Sequence, residues 1–189
     1  PEIRVAGKVE ASGGNAANAI STGILVEAGG NVGLIRNSGS IAAKAAGDNG
    51  TARAIVDLSG TVGTIENSGI ISATGAAATS DRNIAIDLSA NGNGATVKQT
   101  AVASGIAAPS IVGDVRFGGG NDIFDIADGS VKGNTLFGAG NNRLALSGDA
   151  TYAGKASFGS GNDTMALTGT SVFSGTADFG GGSDTLTIG

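Results

Sequence analysis

The 189 residues contain no cysteine and no histidine. These two absences exclude zinc fingers, thiol nucleophiles, Ser-His-Asp triads and imidazole acid–base chemistry together. Proline occurs only twice and glycine follows no Gly-X-Y period, which excludes collagen. No apolar run approaches the ~18 residues of a membrane helix, and no signal sequence opens the chain, which begins at Pro1 and reads as a fragment or a processed product. Positive charge is scarce as well: Lys+Arg 11 against Asp+Glu 16 gives a net charge of −5 with no basic run, so nucleic acid is not an expected partner. Aromatics make up only 4%, while 40% apolar content is enough for a packed core. Glycine is abundant, at 35 residues, well over twice the usual share of about 7%. That composition suits regularly spaced tight corners between thin layers of small side chains.

The glycines recur in a phrase. FGGGNDIFDI from Phe117 returns as FGAGNNRLAL from Phe137, FGSGNDTMAL from Phe158 and FGGGSDTLTI from Phe179, at intervals of 137−117 = 20, 158−137 = 21 and 179−158 = 21. Ile111, Val131, Tyr152 and Phe173 keep those intervals, as do Gly113, Gly133, Gly154 and Gly175. So do the pairs Phe124/Ile126, Leu144/Leu146, Met165/Leu167 and Leu186/Ile188, each with the two-residue spacing of a strand. A unit this short cannot cover both ends of its own core, whereas stacked copies cover one another. Equivalent residues then lie about 4.8 Å apart, as ladders of like side chains.

The first half keeps a slower beat. VGLIRNSGSIAA (32–43) matches VGTIENSGIISA (62–73) at an offset of 30, IRVAGKVEA (3–11) fits IRNSGSIAA (35–43) at 32, and IVDLSG (55–60) is echoed by AIDLSA (85–90). The small, polar stretches 44–53 and 74–83 read as side loops on a coil of again about twenty residues. Leu58-Ser59-Gly60 and Leu146-Ser147-Gly148 read as one corner shared by both halves. The expected fold is therefore all-β: a single right-handed parallel β-helix of about seven coils, roughly 35 Å long, with longer loops in its N-terminal half. Residues 1–110 carry coils of about 30 residues with NSG corners, and residues 111–189 carry coils of 20–21 residues with FGxGND corners. The weakest junction is 91–110, where Pro109 marks a corner or an edge.

NSG coils followed by FGxGND coils resemble the passenger region of type Va autotransporters of Gram-negative bacteria. The resemblance implies a right-handed β-helix displayed at the cell surface, with a β-barrel translocator elsewhere in the precursor. There is no GxSxG and no inserted hydrolase.

Two kinds of candidate site remain. The column Asp122, Asn142, Asp163, Asp184 has half of a calcium-binding nonapeptide motif per coil; Asp122, Asp163 and Asp184 are the calcium candidates. Asp163 and Asp184 would repel at ladder spacing unless solvated, protonated or bridged by a cation. Glycine corners with a solvated acidic edge are the preferred reading, with no cofactor. Asn37 and Asn67, continued by Gln99 after a small shift, form a candidate amide ladder, and Asn121, Asn141 and Asn162 are expected to bond within their corners. Phe117, Phe137, Phe158 and Phe179 are the expected core ladder. Asp122 and Asp125, three apart on a strand, face opposite ways, so an acid–base pair is not expected and neither is an enzyme.

The expected function is a structural and adhesive stalk segment of a secreted surface protein, contacting a host, surface or matrix ligand. Its alternatives are a filament subunit stacking coil to coil and a calcium-dependent, RTX-like binding module. Ile3 opens mid-coil and Gly189 ends just after DTLTI, so end-to-end self-association is expected.

Overall fold

A computed structural model describes residues 1–77 and 79–189 of the chain. The described residues form twenty strands and no helix. Three runs of strands stack as the faces of a solenoid, and every strand pairing is parallel. Face A holds β1 (Glu2–Val5), β4 (Leu34–Asn37), β7 (Thr64–Asn67), β10 (Thr96–Gln99), β13 (Ile123–Ile126), β16 (Arg143–Leu146), β18 (Thr164–Leu167) and β20 (Thr185–Ile188). Face B holds β2 (Lys8–Ser12), β5 (Ser40–Lys44), β8 (Ile70–Thr74), β11 (Ser110–Val112) and β14 (Ser130–Lys132). Face C holds β3 (Ile20–Val26), β6 (Thr51–Asp57), β9 (Asn83–Asp87), β12 (Asp114–Arg116) and β15 (Thr135–Gly138). The long strands β17 (Thr151–Phe158) and β19 (Val172–Asp178) run through faces B and C, which joins both into one sheet. The chain thus makes seven coils and enters an eighth with β20, an all-β parallel β-helix as the period requires.

Alternation along each strand fills the interior. Ile35, Ile41, Ile55, Ile65, Ile71 and Ile86 are fully buried in the first three coils, and Phe124, Phe137 and Tyr152 take over beyond them. The registers Ile111↔Val131, Val131↔Tyr152 and Tyr152↔Phe173 follow the period of the sequence. Phe117, Phe137, Phe158 and Phe179 stack with ring centroids 5.1, 4.6 and 5.1 Å apart and planes within 4°. Rings so aligned share dispersion contacts along the whole axis.

The corner between faces B and C differs between the halves. In the first three coils it is spanned by 13–19, 45–50 and 75–82, shorter loops than the sequence suggested because Lys44, Thr51–Arg53, Thr74 and Asn83 belong to strands; Ala78 lies outside the described residues. A small cluster of Ala43, Ala45, Ala52 and Ala73 packs at the base of these loops. In the later coils a glycine turns the corner, as Gly154 does within β17 at φ +153°, where a Cβ would overlap the Gly133 carbonyl oxygen. Only glycine tolerates that combination.

Two expectations about corners are corrected. Leu58-Ser59-Gly60 turns from face C to face A, whereas Leu146 ends a face-A strand and Ser147-Gly148 leads toward face B; Leu58 is half-exposed and Leu146 buried. Ser and Gly make a tight turn wherever the chain needs one, so the shared phrase did not mark a shared place. The echo of IVDLSG in AIDLSA is offset by one rung, since Ile55 pairs with Ile86 and Val56 with Asp87. Asp57 therefore points inward and Asp87 outward, because a one-residue slip reverses every side chain. The blurred junction 91–110 contains β10 and then the loop 100–109, exposed over 103–108, at the A–B corner, a different corner from the earlier loops. Pro109 is buried just before β11, where its carbonyl accepts the Ser130 N–H. The sheets run unbroken across 110/111.

Candidate functional site: two polar ladders

The residues that looked chemical are used along the solenoid axis. At the A–B corner, the Asn37 Nδ2 donates to Asn67 Oδ1 at 2.8 Å, and Asn67 Nδ2 donates to Gln99 Oε1 at 3.2 Å. The same amides close their own corners, Asn37 by accepting the Gly39 N–H and Asn67 through the Gly69 N–H and carbonyl, and Asn37 Nδ2 also donates to the Ile70 carbonyl of the next coil. Gln99 completes the ladder by donating to the carbonyls of Asp128 and Ser130. It sits in direct register with Asn67, with no shift. All three amides are buried, and apolar Val5 and Ile126 occupy the next rungs at either end. Strand parity explains their place: Asn37 shares a face with Ile35, Asn67 with Ile65 and Gln99 with Val97.

At the C–A corner, the acidic column is also buried, and the expected solvated edge is overturned. Asp122 and Asp163 are 0% and 1% exposed, with Asn142 between them at 1%. Each side chain reaches back one coil: Asp122 Oδ1 accepts the Ala95 N–H at 2.7 Å, Asn142 Oδ1 the Asp122 N–H at 3.0 Å, Asp163 Oδ1 the Asn142 N–H at 2.7 Å, and half-buried Asp184 Oδ1 the Asp163 N–H at 2.9 Å. Parity carried this signal too. Asp122 lies two before Phe124 and four before Ile126, so it had to point inward with them. Asp125 lies on the outer face of the same strand.

The exposed asparagines beside this column reach the other way. Asn121 Oδ1 accepts the Asn141 N–H at 2.8 Å, Asn141 Oδ1 the Asn162 N–H at 2.7 Å, and Asn162 Oδ1 the Ser183 N–H at 2.8 Å. They bridge coils instead of bonding within a corner. The Asn-Asp dipeptide is thus a two-way clamp, its first side chain holding the next coil and its second the preceding one. The N–H groups of Asp122, Asn141, Asn142, Asn162, Asp163 and Ser183, which no backbone carbonyl takes up, find their acceptors in this way.

Electrostatics follow from burial. Burial pushes the Asp122 carboxyl up to about 6, the Ala95 N–H pulling the other way. It likewise pushes the Tyr152 hydroxyl up to about 12, opposed by the bond to Thr135. Asp122 and Asp163 share a column but stand two rungs apart across a neutral amide, and among the described residues no three acidic side chains gather as a cation cage. A surface groove at the A–B corner is lined by Arg4, Arg36, Ser38, Glu66, Ser68 and Thr100. Its cations are already paired, Arg4 with Glu2 at 2.9 Å and Arg36 with Glu2 and Glu66 at 3.3 and 3.0 Å.

Compared with known proteins, the chain matches no family model, and no curated protein or solved structure is significantly similar to it. The parallel β-helix and its ladders are what define it.

Proposed function

We propose that this chain is a rigid β-helical stalk segment of a secreted surface protein of the autotransporter type, with adhesive contacts made by its loops. The observation that supports this reading is the use of the repeated polar groups: Asn37, Asn67, Gln99, Asp122, Asn142 and Asp163 all bond from coil to coil. Side chains committed to stacking lengthen and stiffen a rod; they are not free to turn over a substrate. Loops 45–50, 75–82 and 100–109 interrupt this stacking at two different corners and give the rod its irregular surface. Loop 100–109 includes Ile106 at 62% exposure, the kind of apolar side chain that contributes to contact with a host, surface or matrix ligand. A β-barrel elsewhere in the precursor would carry the rod outward.

The test is display. An epitope inserted in loop 100–109 of the gene's full product should be labelled on intact Gram-negative cells and removed by external protease. Labelling only after lysis would contradict the proposal. Calcium supplies a second check: if millimolar calcium raises the melting temperature saturably, and Asp163→Asn with Asp184→Asn abolishes the rise, the calcium-binding module replaces the stalk.

A further inference from the structure

Only one oxygen of the buried Asp122 carboxyl is used. Oδ1 accepts the Ala95 N–H, while Oδ2 has no partner and no contact with solvent. An ionised carboxylate is an acceptor at both oxygens, so it would leave one of them both desolvated and unbonded. The next rung shows what the corner accommodates. Asn142 accepts through Oδ1 from the Asp122 N–H, and its Nδ2 donates to the Gly140 carbonyl two residues back, at 3.0 Å. Gly140 stacks directly on Gly120, which stands two residues before Asp122. A protonated carboxyl has the same pattern as that amide, one acceptor and one donor.

We propose that Asp122 is held as the neutral acid, its Oδ2–H donating to the Gly120 carbonyl two residues back, so that a proton latches shut the corner through which the fourth coil passes into the fifth. The latch sits where the long-looped coils give way to the short ones. No opposite charge is at hand to favour ionisation. On the neighbouring strands of face A, Lys98, Asp125 and Arg143 alternate outward, as do Lys132 on face B and Asp114 and Arg116 on face C. Asp163 is two rungs away beyond Asn142, and inward Asp57 is occupied by Ser59 and the Val62 N–H. Burial is accordingly the dominant influence on this carboxyl.

The sign follows from linkage. The folded chain holds this proton up to about pH 6, whereas the unfolded chain releases it near 3.8, so the stabilisation is complete below about pH 4 and is lost as pH rises through 6. That gap corresponds to a change on the order of a hundredfold in the folding equilibrium.

The test compares the chain with Asp122→Asn by chemical denaturation from pH 4 to 8. The folding equilibrium of the wild type should weaken relative to the variant on the order of a hundredfold between pH 4 and 7, leaving the variant the more stable protein at neutral pH. A difference independent of pH would overturn the proposal. Infrared spectroscopy of the wild type alone covers a variant that fails to fold. A buried protonated carboxyl band at pH 5, vanishing as pH passes 6, is expected, and full ionisation of the buried acid at pH 5 would overturn the latch. So would a saturable stabilisation of the wild type by sodium or calcium chloride at pH 7 that Asp122→Asn lacks, since a cation would then stand where the proton is placed.

Discussion

Coils one to three and coils four to seven close the same three-faced section with different materials. The first three spread the B–C corner over loops padded with Ala43, Ala45, Ala52 and Ala73, fill the interior with isoleucine and place their amide ladder at the A–B corner. The later coils turn the B–C corner on glycine, fill the interior with stacked phenylalanine rings and place their polar column at the C–A corner. A corner tightened to one glycine removes the B–C loop, and past the A–B loop 100–109 of the fourth coil the chain settles into the 20–21-residue repeat, so that identical rings meet rung after rung. The comparison teaches that a solenoid needs a buried polar ladder at one corner, and that which corner carries it is negotiable.

The sharpest way to break this contrast is at the B–C corner. Gly154→Ala drives a Cβ into the Gly133 carbonyl at a φ of +153° and should cost about 3–6 kcal/mol or prevent folding. Gly14→Ala, in the equivalent loop of the first coil with nothing within 4 Å, should change stability by less than about 0.5 kcal/mol. Equilibrium denaturation of both variants checks the pair.

Next in size are the interior layers. Phe137 is fully buried between two parallel rings, and Phe137→Ala should cost about 3–5 kcal/mol in thermal or chemical unfolding. Ile65→Val in the isoleucine half should cost about 0.5–1.5 kcal/mol.

Effects smaller than that of Phe137→Ala separate the two polar ladders. Asn67→Ala leaves Gln99 Oε1 and the Gly69 N–H short of partners and should cost about 2–3 kcal/mol. Asp163→Ala strands the Asn142 N–H and should cost about 1–3 kcal/mol, while Asp163→Asn keeps the acceptor and should stay within about 1 kcal/mol. Urea midpoints of the three variants order them.

The fold was legible because the period and the alternation agreed at every level: the columns Ile111, Val131, Tyr152 and Phe173 are the columns of the structure. The amide ladder was legible because Asn37 and Asn67 repeat in identical phrases. The acidic column was misplaced because acidic character was weighed above strand parity, although Asp122 and Phe124 share a face. Ser-Gly turns were misleading because their local chemistry is the same at any corner, as Leu58 and Leu146 show. The slip that turns Asp57 inward and Asp87 outward depends on the lengths of loops 45–50 and 75–82, which a sequence echo does not weigh.

The most direct measurement is hydrogen exchange at the amides held only by side chains. The N–H groups of Ala95, Asp122, Asn142 and Asp163 should exchange as slowly as the strand amides of Arg143 and Thr164, which are held by backbone carbonyls. Exchange of these four at the rate of exposed loop residues such as Ser104 and Ala107 would contradict the claim that the Asp and Asn column ties the coils together.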